Sequence, residues 1–227
     1  RAEAADAGSA GAAAPAPPAD PGPAAPAQEQ PIPLPRGGIA LITSAFVLLQ
    51  ATNATGMTIM TVYVTQAMGL DLLWAGVALG VAAGLEVPAL LGIGRLSQRF
   101  SLLGLLVTSC IAGVAYYVGL AAATGPVMLI ALQLLNAWSF AGISGVGLPL
   151  FHQLIPRPGL STGIYANTRR IGSIVTGPII ALGAWPLLGQ RTIFVACAVL
   201  TVLALAIIIG ARRAGERKAL AFAAATD

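Results

Sequence analysis

From residue 39 onward six apolar runs follow one another, each near the roughly 20 residues that cross a bilayer as helix. They fall at about 39–64, 73–94, 102–123, 127–151, 162–186 and 192–211, and the polar marks between them are short. In lipid every backbone donor and acceptor must be satisfied internally, which leaves helices or closed barrels, and runs of this length fit the helix. Short connections make sequential helices antiparallel neighbours. The sequence therefore predicts an all-α membrane protein, a six-transmembrane-helix bundle over residues 39–212. Composition agrees: 57% of the 227 residues are hydrophobic and 9% are charged, against about 25% charged in an ordinary soluble domain. A water-soluble monomer is excluded.

The front of the chain reads differently. Residues 1–35 are rich in Ala and Pro and carry few large apolar side chains, too few to offset the entropy of ordering. Residues 1–38 are thus expected to be a disordered linker, and 213–227 a tail. The front end also lacks the basic-then-apolar order of a signal peptide. The chain opens on Arg1 rather than Met, so a missing N-terminal six-helix half is expected upstream.

Orientation follows from the cations. Arg36, Arg95 with Arg99, Arg157, and the terminal Arg212, Arg213, Arg217 and Lys218 occupy alternate connections. Those connections are cytoplasmic by the positive-inside rule, which places both ends of the segment inside. The 12 basic residues against 8 acidic ones report this topology and do not imply a nucleic-acid partner. Tyr63, Trp74, Tyr116, Tyr117 and Trp185 are expected as an aromatic belt at the opposite interface.

Glu86 is the one acidic residue inside a run, about 13 Å from the end marked by Arg95 at 1.5 Å per residue. An ionisable group near the midplane costs a few kcal/mol on insertion scales unless it faces a cavity or a partner. A low-dielectric setting favours the neutral carboxyl, which suits a proton carrier or a hydrogen-bond donor. Arg169 and Arg170 lie about two turns into the fifth run, pointing about 100° apart, and one of them is a candidate partner for Glu86. Gln133 and Asn136 stand at i and i+3 on the fourth run, with Trp138 beyond. Gln50, Asn53 and Met57 share a face of the first. Amides both donate and accept, and with an aromatic face they suit the hydroxyls of a sugar ring. His152 stands alone and is expected to hydrogen-bond near a helix end. Gly76, Gly80 and Gly84 at four-residue spacing predict close helix packing. Cys110 and Cys197 read as small buried hydrophobes. With no Ser/His/Asp set, no metal spacing and no phosphate loop in the sequence, no enzyme activity, cofactor or metal is expected.

An even number of spans preceded by a cytoplasmic linker resembles the second half of a twelve-helix transporter of the major facilitator superfamily. The segment Gly94-Arg95-Leu96-Ser97-Gln98-Arg99-Phe100-Ser101 is similar to that family's loop signature, with Gln98 at its acidic position. The segments Ala82 to Ala89, Leu132 to Ala137, and Gly145-Val146-Gly147 through Phe151 to Pro156 resemble the bacterial sugar efflux transporters within it. The resemblance implies a gating loop at Gly94, Arg95 and Arg99. It also implies a secondary active transporter of the bacterial inner membrane that exports sugars or glycosides in exchange for protons by alternating access. Gln50, Asn53, Gln133, Asn136 and Trp138 are the expected substrate contacts, and Glu86, Arg169 and Arg170 the expected cavity charges. Efflux of drugs or other small molecules by the same superfamily is the alternative.

Overall fold

The computed structural model describes residues 36–183, 185 and 189–224. Residues 1–35, most of the expected linker, lie outside that range. Six helices make up the described region: α1 (Arg36–Val62), continued by a π-helical turn Tyr63–Ala67, α2 (Leu72–Leu96), α3 (Leu102–Ala122), α4 (Pro126–Leu154), α5 (Pro158–Gly183) and α6 (Arg191–Ala224). The last helix runs past residue 212, so residues 213–224 of the expected tail are helical.

The starts and stops have local causes. Asp71 caps α2 by accepting from the Leu73 amide at 2.9 Å, and Ser101 caps α3 by accepting from the Gly104 amide at 3.2 Å. Pro126 opens α4, where a missing N–H costs nothing. Gly69 turns the chain between α1 and α2 with φ +64°, a conformation side chains with a Cβ resist.

Five helices are long and apolar enough to cross a membrane; the last of these segments is Arg191–Ala214. The exception is α5. Its 26 residues are long enough at about 1.5 Å each, but Asn167, Thr168, Arg169, Arg170, Ser173 and Thr176 dilute its apolar character.

Helix α3 packs on α4 and α6, α1 on α5 and α6, and α2 mainly on α4. Lipid supplies no hydrophobic drive between helices, so close packing and interhelical bonds must hold the bundle. Small residues provide the approach. A Cβ on Gly142 would meet the Ser109 Cβ at 2.5 Å; one on Gly113 would meet the Ser139 hydroxyl at 2.7 Å; one on Gly172 would meet the Ala51 backbone nitrogen at 2.9 Å. By contrast Gly76, Gly80 and Gly84 have nothing within 4 Å. Among the described residues the expected close packing is not seen there, because four-residue spacing marks one face of a helix without saying which face meets a neighbour.

Apolar packing divides into two clusters. One, at the arginine-rich end, is built around Phe46, Leu106, Phe151 and Ile208, with the Phe46 and Phe151 rings edge to face at 5.2 Å. The other, at the opposite end, surrounds Tyr63, Leu120, Leu129 and Phe194. There the Tyr63 hydroxyl donates to the Leu120 carbonyl, and its ring meets Phe194 edge to face at 4.6 Å. Replacing Tyr63 by Phe is expected to cost about 1 kcal/mol, because the Leu120 carbonyl loses a buried donor. A thermal unfolding midpoint in detergent that does not fall would contradict this.

Three of the tyrosines expected in an outward belt point inward: Tyr63, Tyr116 and Tyr117 are 0%, 2% and 5% exposed. Helical phase puts them on packed faces, and closeness to a helix end does not by itself turn a ring to lipid. Trp185 is exposed as a belt residue requires.

Candidate functional site

Between the two apolar clusters lies a mid-depth layer of polar and small residues. On α1 the change of cluster falls between Leu49 and Ala51, at Gln50; on α4 it falls between Leu132 and Ala141, where Gln133, Asn136 and Ser139 lie. Thr201 of α6 and Gly113 of α3 meet in the same layer.

Gln133 is fully buried and committed. Its Nε2 donates to the Leu129 carbonyl at 3.0 Å, its Oε1 accepts from Asn136 Nδ2 at 3.2 Å, and the Tyr116 hydroxyl bonds to the same side chain. It therefore orients Asn136 and presents nothing to a ligand. Asn136 is only partly buried. Together with Asn53 of α1 it lines a narrow cleft whose other walls include Gly56, Met57, Met60, Leu79, Tyr116 and Tyr117. Asn53 and Asn136, expected from different helices, are thus brought to one place. The cleft's accessible volume of about 10 Å³ admits one water at most. This cleft is too small to enclose a sugar.

Tyr116 and Tyr117 of α3, which the sequence places at the membrane interface, join the site. The signal was present in the helical phase: Tyr116, seven residues after Ser109 and three after Gly113, continues the small-residue stripe by which α3 meets α4. Tyr117 adds a hydrogen bond to Thr52.

Gln50 does not share the cleft. It is 8% exposed and sits beneath Gly172 of α5, 2.8 Å from where a Cβ of that glycine would be. Trp138 is also elsewhere, in a groove with Phe100, Thr108 and Arg212. It follows Asn136 by two residues, which turns it about 200° round the helix.

Glu86 is half-buried on α2, seven residues beyond the cleft residue Leu79 and so on the same strip. Gly145 of α4 lies against Leu90 and Ile93 of α2, a register that sets Glu86 about level with residues 139–140, near the middle of α4. Among the described residues no cation stands beside its carboxylate. The candidate partners are on α5, which does not form a packed pair with α2. Arg169 and Arg170 are both exposed. Arg169 lies near the Tyr165 hydroxyl, and its carbonyl accepts from Ser173 Oγ at 3.0 Å. Arg170 points away from the face formed by Thr168, Gly172 and Thr176, which packs on α1. The expected Glu86 ion pair is absent from the described residues because the two helices stand apart.

At the end of α2 Gly94 and Arg95, and in the turn after it Arg99, are exposed. The Gly94 carbonyl accepts from Ser97 Oγ at 2.8 Å, and the Arg99 amide donates to the Leu96 carbonyl at 2.9 Å, so the loop is a compact turn. His152 Nε2 lies 3.2 Å from Thr162 Oγ1 and links the end of α4 to the start of α5.

Comparison with known proteins bears on what such a bundle is. The chain is 35% identical over 138 residues to sugar efflux transporter B of Salmonella typhimurium, covering 60% of this chain and 35% of the relative. It is 35% identical over 145 residues to sugar efflux transporter A of Dickeya chrysanthemi, 63% of this chain and 37% of the relative. The chain resembles the bacterial sugar efflux transporters. A third such relative, sugar efflux transporter A of Escherichia coli, is 31% identical over 170 residues, 74% of this chain and 43% of the relative. The chain thus spans less than half the length of these sugar efflux transporters. No family model matches it, and no solved structure matches it.

Proposed function

We propose that the chain is the C-terminal six-helix half of a secondary active transporter that exports sugars or glycosides across the bacterial inner membrane. Substrate is held between this bundle and a second six-helix half, and export is driven by inward proton movement through alternating access. All six helices cross the membrane, α5 included, with both ends of the segment cytoplasmic. The observation that carries the reading is the likeness to proteins named sugar efflux transporters, which reaches across most of the six-helix region. The site geometry supports it: the cleft between Asn53 and Asn136 is too small to enclose a sugar, while amides and tyrosines line it at mid-depth. Such groups contribute to a shared cavity in which the facing half supplies the other wall. Asn53 and Asn136 bind hydroxyls, Gln133 and Gln50 hold their helices in place, and Arg169, Arg170 and Glu86 bring charge to the cavity. Gly94, Arg95 and Arg99 form the gating turn.

The test is uptake of a labelled lactoside into inverted membrane vesicles that carry the chain together with an N-terminal six-helix half. A proton gradient is expected to drive accumulation, and the chain alone is expected to give none. Movement of a fluorescent drug without movement of the lactoside would replace the sugar by an amphipathic substrate.

A further inference from the structure

We infer that a groove on the outer side of α3, at the arginine-rich end of the bundle, binds an anionic phospholipid. The groove has an accessible volume of about 320 Å³ and is lined by residues of four helices and one loop, among them Phe100, Ser101, Gly104, Thr108, Trp138 and Arg212. It is separate from the Asn53–Asn136 cleft and shares no residue with it.

Each part suits a different portion of an amphiphile. Arg212 of α6 brings a guanidinium, whose planar set of five N–H donors matches phosphate oxygens and can serve them alongside another contact. Ser101 Oγ accepts from the Gly104 amide, which leaves its own proton to donate. The same spot is the start of α3, where first-turn N–H groups favour negative charge. From Ser101 to Thr108 the groove extends about 10 Å along the helix at 1.5 Å per residue. Over that length Thr108 turns its hydroxyl back to the Leu105 carbonyl at 2.8 Å, so the deeper wall offers methyl and aromatic surface from Thr108 and Trp138. Headgroup chemistry thus sits at the helix end and apolar surface lies deeper, the order in which a bilayer leaflet presents a phospholipid. Gly104, lacking a side chain, keeps the groove open. Arg95 and Arg99 add positive potential at the same end, which draws anionic lipid to the surface. A soluble phosphate would use the Arg212 end alone and leave Trp138 and Phe100 without a role.

The experiment is native mass spectrometry of the full chain released from nanodiscs of equal phosphatidylglycerol and phosphatidylcholine. One retained phosphatidylglycerol per chain is expected. In Arg212→Gln retention should fall about tenfold, as loss of a charged phosphate contact implies, and Thr108→Phe should lower it by filling the groove with every charge kept. Arg213→Gln, altering an exposed arginine that does not line the groove, should retain the lipid. An equal fall in Arg213→Gln would mean diffuse attraction to the leaflet and overturn the site. Retention of phosphatidylcholine at the same level would overturn the anionic headgroup, and displacement by millimolar inorganic phosphate would overturn the lipid in favour of a soluble anion.

Discussion

Replacing Gly172 by Leu is expected to leave less than about a tenth of the chain folded, because the α1–α5 crossing has no room for a side chain. A Cβ at this position would lie 2.8 Å from Gln50 Cβ, 2.9 Å from the Ala51 nitrogen and 3.0 Å from the Gln50 carbonyl carbon. Two of these atoms are backbone and cannot rotate away. One turn on, Thr176 Oγ1 donates to the Ala51 carbonyl at 3.4 Å, so the same crossing also carries an interhelical bond. Extra methylenes in a packed interior cost about 1–3 kcal/mol where side chains can shift, and here the helices themselves must part. The contrasting variant is Gly177→Leu on the same helix, where nothing lies within 4 Å. It should be neutral or stabilising by up to about 1 kcal/mol through helix propensity. Fluorescence-detected size exclusion in mild detergent distinguishes them: a monodisperse, abundant Gly172→Leu would show that the crossing is looser than these distances require.

The contrast between these two glycines also marks where sequence reasoning stops. Spacing and length placed all six helices, and the caps at Asp71 and Ser101 are readable as residue types before an apolar run. Which face each helix turns inward was not readable. Gly76, Gly80 and Gly84 form a regular stripe and touch nothing, while Gly113, Gly142 and Gly172, on three different helices, make the close contacts. A stripe within one helix is visible in a sequence; a meeting between helices far apart in the chain is not. The site shows the same limit. Asn53 and Asn136 are recognisable as amides at mid-depth, and the two line one cleft. Gln133 is of the same residue type, yet its hydrogen-bonding capacity is taken up by Leu129, Asn136 and Tyr116. The sequence points Tyr116 and Tyr117 to the interface because a tyrosine near a helix end serves an interface or a core equally well.

The largest functional effect is expected at Glu86. If export is coupled to protons as proposed, with Glu86 as the midplane relay, uptake driven by a proton gradient should fall at least about 20-fold in Glu86→Gln at unchanged protein level. Glu86 has no cation beside it among the described residues and lies on α2, the least buried of the candidate spans. Gln keeps the volume and the hydrogen-bonding reach of Glu while losing the exchangeable proton, so the helix contacts should survive. A fall in abundance would instead assign Glu86 to the fold. Counterflow, the exchange of labelled for unlabelled lactoside without a gradient, separates the two functional roles. If Glu86→Gln retains counterflow while losing driven uptake, the carboxyl carries the coupling proton. If both are lost, it binds the substrate, and proton coupling must be sought elsewhere.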